Sequence, residues 1–326
     1  MATKSTPSMG PSFFNFLKEG LLLPARNRRL FLAVYAVVIA STALLLLGGD
    51  LAVQPLADEI QLDAKALNST DPGSPEFAKL VQEIQDDTRE LLLVGAGFLL
   101  LAVVVSSAVR IVLLFAAVST YSDEEQPAAT SLGALLGKAK AQLKGPLLTL
   151  AFVYVLEIVC TVLLAFVGAL LGVLMVMLKQ YFAVLLLASI LIVGAATVFL
   201  VYFSFLCSFS IVVAVAEPGC HGAAALGRAW RLAKGKRRQV VLYVAVTGAL
   251  AAVLSPVHTL ARTCAGDDSV ALGLLLDFVY AVLMALVQLF AVCAMTAFYY
   301  ERKENSDNQL GATGYAKLSS TEEATA

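Results

Sequence analysis

The sequence predicts an all-α fold: a polytopic membrane helical bundle of about six transmembrane helices, with amphipathic interfacial helices and an internal repeat. Three observations lead there. The chain holds six long apolar stretches, and its mean hydropathy is +0.83. Only 14% of its residues are charged, whereas about a quarter are in a soluble domain. Its lysines and arginines collect in alternate connecting segments, the asymmetry that orients helices in a bilayer.

In chain order the apolar stretches are residues 30–47, 91–118, 147–178, 181–216, 240–260 and 270–299. Each meets or approaches the roughly 20 residues that cross a bilayer; the longer ones must tilt, kink or project. The third and fourth are separated only by Lys179-Gln180, so three spans with turns near Gly168 and Gly194 are an alternative division. Charge opposes it. With six spans and a cytosolic N-terminus, segments 1–29, 119–146, 217–239 and 300–326 carry 17 Lys and Arg, and the opposite side carries 5. Three spans in the middle block would export Arg228, Arg231, Lys234, Lys236, Arg237 and Arg238. Both termini are therefore expected in the cytosol. The expected membrane is the endoplasmic reticulum and endomembrane system, or the plasma membrane.

The first helix follows Arg26, Arg28 and Arg29 without a cleavable-signal pattern, so it is expected to serve as its own targeting signal. The domain plan is a cytosolic segment 1–29 containing an interfacial helix, a six-helix domain 30–299, and a disordered cytosolic tail 300–326. The lumenal loop, about 52–90, contains the sequon Asn68-Ser69-Thr70, an acceptor for N-glycosylation on that side only. In the same loop Ser74-Pro75-Glu76 reads as a helix start, and Phe77, Leu80, Val81 and Ile84 share one face of the helix it opens.

The two basic inside segments, about 131–145 and 222–238, match without gaps at an offset of 90 residues. Leu136-Gly137-Lys138-Ala139 corresponds to Leu226-Gly227-Arg228-Ala229, and Lys144-Gly145 to Lys234-Gly235. A fainter third copy runs from Phe13 to Leu23. Leu226, Trp230 and Ala233 fall near one helical face, with cations on the other. Lys138, Lys140, Lys144, Arg228, Trp230, Arg231 and Lys234 are thus expected at an anionic lipid surface. The simpler reading of the same charges is a topology anchor.

The stretches Glu217-Pro218-Gly219 and Ala225-Leu226-Gly227-Arg228-Ala229-Trp230-Arg231-Leu232-Ala233-Lys234-Gly235 resemble a family of uncharacterised plant multi-pass proteins. That family is related to the membrane domain fused to some bacterial glycerophosphodiester phosphodiesterases. The resemblance implies a helical membrane fold without phosphodiesterase activity, because the soluble catalytic domain has no counterpart here. Ala229 stands where the family often has serine.

Charges inside apolar stretches cost about 2.5–3.5 kcal/mol on insertion scales, so they face protein or water. Arg110 and Glu157 lie at similar depth on successive spans and are expected to pair. Asp277 has His258 and Arg262 late in the preceding span as candidate partners. For both groups a structural tie is preferred to an ion or proton site. Gly168 and Gly172 form a GxxxG in the third span, expected to serve internal packing.

The tail holds Tyr315-Ala316-Lys317-Leu318, a pattern that trafficking adaptors read as extended peptide. No HExxH, GxSxG or phosphate-binding glycine loop occurs, and five scattered cysteines without CxxC spacing suggest neither a zinc site nor a disulfide framework. An enzyme, a cofactor, a metal and a nucleic-acid partner are all unexpected. A structural, trafficking or membrane-organising component is the leading reading, and a small-solute or ion transporter is the alternative.

Overall fold

The computed structural model describes residues 14–70, 73–122, 132–177, 182–234, 237–266 and 270–323. Among them the secondary structure is helical throughout, with no strand. The helices are α1 (Asn15–Arg26), α2 (Arg28–Ala52), α3 (Gln54–Ser69), α4 (Pro75–Ser122), α5 (Leu132–Gln142), α6 (Lys144–Met177), α7 (Phe182–Ala216), α8 (Ala223–Ala233), α9 (Arg237–Gly266) and α10 (Val270–Glu323). Six helical segments are long and apolar enough to cross a membrane. Short helices of 11 or 12 residues precede three long ones: α1 before α2, α5 before α6 and α8 before α9.

The chain divides into two compact units. Unit 1 comprises residues 1–31, 114–249 and 290–326; unit 2 comprises 32–113 and 250–289.

Unit 1 is built around aromatic rings. Phe298 of α10 is buried edge-on to Phe16 of α1 at 5.7 Å and to Phe205 of α7 at 6.2 Å, and its centroid lies 5.4 Å from Phe209. Each such pair adds about 0.5–1.5 kcal/mol beyond simple burial. Phe16, Gly20 and Leu23 recur at helical spacing and form the buried face of α1. Gly20 lets that face approach closely, because a Cβ there would lie 2.6 Å from the Ala294 Cα. Thus α1 packs into protein through one face, although the sequence alone suggests a helix lying on lipid. α6 runs along α7, and α8 folds back on α7 with its Ala225, Ala229 and Ala233 fully buried.

In unit 2, Val34 and Val38 of α2 and Ala281 and Ala285 of α10 are buried at i, i+4 spacing, and Tyr35 donates to the Val282 carbonyl at 2.9 Å. Gly48 and Gly49 lie under the Phe98 ring. Ser74 accepts the Phe77 N–H at 3.2 Å and caps α4, which continues unbroken into the apolar stretch. At about 1.5 Å per residue, its 48 residues exceed a hydrocarbon core of about 30 Å, so α4 projects beyond it.

Three features depart from the sequence reading. The acidic loop after the first span contains α3, with Pro55 in its first turn, where a missing N–H costs nothing. The tail expected to be disordered from residue 300 continues α10 to Glu323. A helix already nucleated by packing adds residues cheaply, and this stretch contains good helix formers. Added Cβ atoms at Gly168 and Gly172 meet nothing within 4 Å, so neither glycine holds a close approach within the described chain.

Gly20→Val forces α1 away from Ala294 and uncovers Phe16. A clear fall in the melting temperature of the detergent-purified protein is expected, whereas Gly168→Val, in open space, is expected to leave it unchanged.

Candidate functional site

Two polar clusters interrupt the apolar packing, one in each unit. In unit 2, α9 presents His258 and Arg262 one turn apart, and the first charged residue of α10 is Asp277. His258 lies eight residues before the end of α9 and Asp277 seven after the start of α10, about 12 and 10 Å along antiparallel helices, so the two meet. His258 Nδ1 and Asp277 Oδ1 are 3.4 Å apart, and the His258 ring stacks on Tyr280 with centroids 4.9 Å apart. Arg262 turns instead to Asp50 near the end of α2, with Nη2 and Oδ1 separated by 3.5 Å. One cluster therefore ties α2, α9 and α10. Sequence reasoning brought out His258, Arg262 and Asp277 but missed Asp50, hidden at the end of a glycine-containing apolar run.

The second cluster lies in unit 1 and centres on Glu217, just beyond α7. Its Oε1 accepts a 2.8 Å hydrogen bond from Tyr299, whose side chain is fully buried, while the Arg228 guanidinium lies 3.3 Å from Oε2. Arg228, expected among the lipid-facing cations, is thereby held within the fold. Tyr300 stacks on Tyr121 at 4.4 Å, and the Tyr121 hydroxyl donates to Glu19 at 2.6 Å under a cation–π contact from Arg26. Arg302 donates to the Leu232 carbonyl, which anchors the end of α8. No sequence motif marks this network. Its signal was only an acid just after one span and a tyrosine pair at the end of another.

Of the remaining basic-helix residues, Lys140, Lys144, Arg231 and Lys234 are exposed. Trp230 is 52% exposed with Tyr202 edge-on at 6.1 Å. The Lys138 side chain lies outside the described residues, as do those of Tyr315 and Leu318. Arg110 in α4 and Glu157 in α6 are each half-buried, one in unit 2 and the other in unit 1. Asn68 is exposed near the end of α3, while Thr70 donates to the Ala66 carbonyl at 2.8 Å. Among the described residues, no group of three or more His, Cys, Asp or Glu is placed to hold a metal.

Chemically, the two clusters pair acids with bases or phenols across helices. Each partner supplies what burial would otherwise leave unmet, and losing one typically costs about 1.5–3 kcal/mol where a charged group is involved.

Residues 9–312 match the family described as a domain of unknown function (DUF8558), and the chain belongs to that family. No curated protein and no solved structure matches it.

A double-mutant cycle on His258→Ala and Asp277→Ala checks the unit 2 tie. A coupling of about 0.5–3 kcal/mol in unfolding free energy is expected. Strictly additive losses would mean that the 3.4 Å approach contributes nothing.

Proposed function

We propose that this member of the DUF8558 family is a non-enzymatic, membrane-organising component, its spans tied by internal polar pairs and its basic helices resting on anionic lipid. The observation that supports this reading is the destination of the charges near or within the spans. Asp50 meets Arg262, Asp277 meets His258, and Glu217 takes both Arg228 and Tyr299. Such pairing uses charge to fix helix neighbours, which apolar side chains alone specify poorly in lipid.

In the same reading the three short-helix-and-span modules descend from one repeated unit, and both termini face the cytosol of an endomembrane or plasma membrane. The likeness of the Glu217–Gly235 stretch to plant multi-pass proteins without a catalytic domain supports the same function class. Exposed Lys140, Lys144, Arg231 and Lys234 suit an anionic headgroup layer. Adaptor binding at Tyr315 and Leu318 would require α10 to open there, because adaptors read that motif extended.

A transporter is the second reading, favoured by the gathering of Asp50, Arg262, His258, Asp277 and Tyr280 in one unit. Reconstitution in liposomes separates the two. The structural reading predicts no proton, ion or metabolite flux that depends on Glu157 or Asp277. Flux abolished by Glu157→Gln or Asp277→Asn in a still-folded protein would replace that reading with transport.

A further inference from the structure

Where the α5–α6 corner meets the α7–α8 loop, unit 1 contains a cavity of about 210 Å³. Its floor is apolar and buried: Phe115, Ala214 and Val215, with Pro146 beside them. Its rim is polar and exposed, formed by Gln142, Lys144 and His221. No acid lines it. The acid closest in sequence, Glu217, is already engaged by Arg228 and Tyr299.

The rim is held in position by the backbone. The Gly222 N–H donates to Thr149 Oγ1 at 2.9 Å, and Thr149 in turn donates to the Gly145 carbonyl at 3.0 Å. Gly222 has a φ of +57°, a conformation natural to glycine, which lets the loop reach Thr149. These bonds seat the His221 ring directly over Gly145, in the space that any side chain at 145 would occupy.

We propose that this cavity binds the phosphate of an anionic lipid headgroup, with Lys144 and His221 on the phosphate and the apolar floor against the adjoining glycerol carbons. The proposal deepens the reading of the basic loops as lying on an anionic lipid face and rests on it. Position favours a lipid over a free anion. One turn beyond Lys144, Leu147 and Leu148 are exposed on α6, so an acyl chain can leave the rim along an apolar helix face. At about 210 Å³ the space suits a compact headgroup without a sugar ring.

The test uses the full-length protein in neutral detergent, with native mass spectrometry counting retained phosphatidic acid and phosphatidylcholine. One phosphatidic acid per chain is expected to be held in preference to phosphatidylcholine. Lys144→Gln with His221→Gln is expected to cut its retention about tenfold, the loss of a charge-assisted contact. Lys65→Gln, exposed on α3 and outside the lipid-facing set, is expected to leave it in place, while Arg231→Gln with Lys234→Gln reads the α8 surface separately. Unchanged melting temperatures without lipid establish that the variants fold, and Lys144→Arg, which keeps the charge, is expected to retain the lipid if the rim pair fails that control. Loss through the α8 pair but not the rim pair overturns the cavity and leaves the surface reading standing; loss through neither overturns both. Inorganic phosphate that raises the melting temperature through Lys144 while phosphatidic acid is not retained overturns the lipid assignment in favour of a free anion.

Discussion

Inside hydrocarbon a backbone N–H or C=O finds no water, so each must be satisfied within its own segment. That constraint makes every long apolar stretch here a helix, and it also governs the hydroxyl residues. Thr120, Thr161, Thr197, Thr247 and Thr296 each donate to the carbonyl four residues back, hiding a polar atom without calling on another helix. Thr149 does the same and has a lone pair left to accept the Gly222 N–H, so one hydroxyl joins a span to the loop beside it. Tyr35 and Tyr243, too long to bond back, reach carbonyls of α10.

Once the backbone is satisfied locally, the remaining polar groups can specify which helices are neighbours. Apolar faces in lipid discriminate weakly, since a tail is as good a partner as a leucine. Glycine and alanine provide close contact where backbones meet, as at Gly20 with Ala294 and along the alanine stripe of α8. Aromatic rings fill the wider gaps around Phe298, and the Glu217 and His258 clusters fix partners by charge.

Much of this was legible in the sequence because hydropathy and charge asymmetry are summed over many residues. Six spans and the short basic helices before α6 and α9 emerge from such sums. What was not legible depends on single contacts. Asp50 carries no mark in the sequence until α9 brings Arg262 to it, and Tyr299 is only the end of an apolar stretch until Glu217 meets it. Pro55 with Leu56, Ile60 and Leu67 did carry the period of α3, but the surrounding acids masked it. The packing face of α8 was displaced for a related reason. Leu226, Trp230 and Leu232 are its largest apolar residues, but small alanines allow the closer approach, and the large side chains are left at the flank.

That displacement makes the chain its own optical probe. Trp230 is the single tryptophan in 326 residues, and it stands half exposed at the edge of α8. Intrinsic emission excited at the red edge therefore arises from one helix, without labelling. Its colour and its quenching by brominated lipids register the immersion of α8 alone, undiluted by signal from the rest of the bundle.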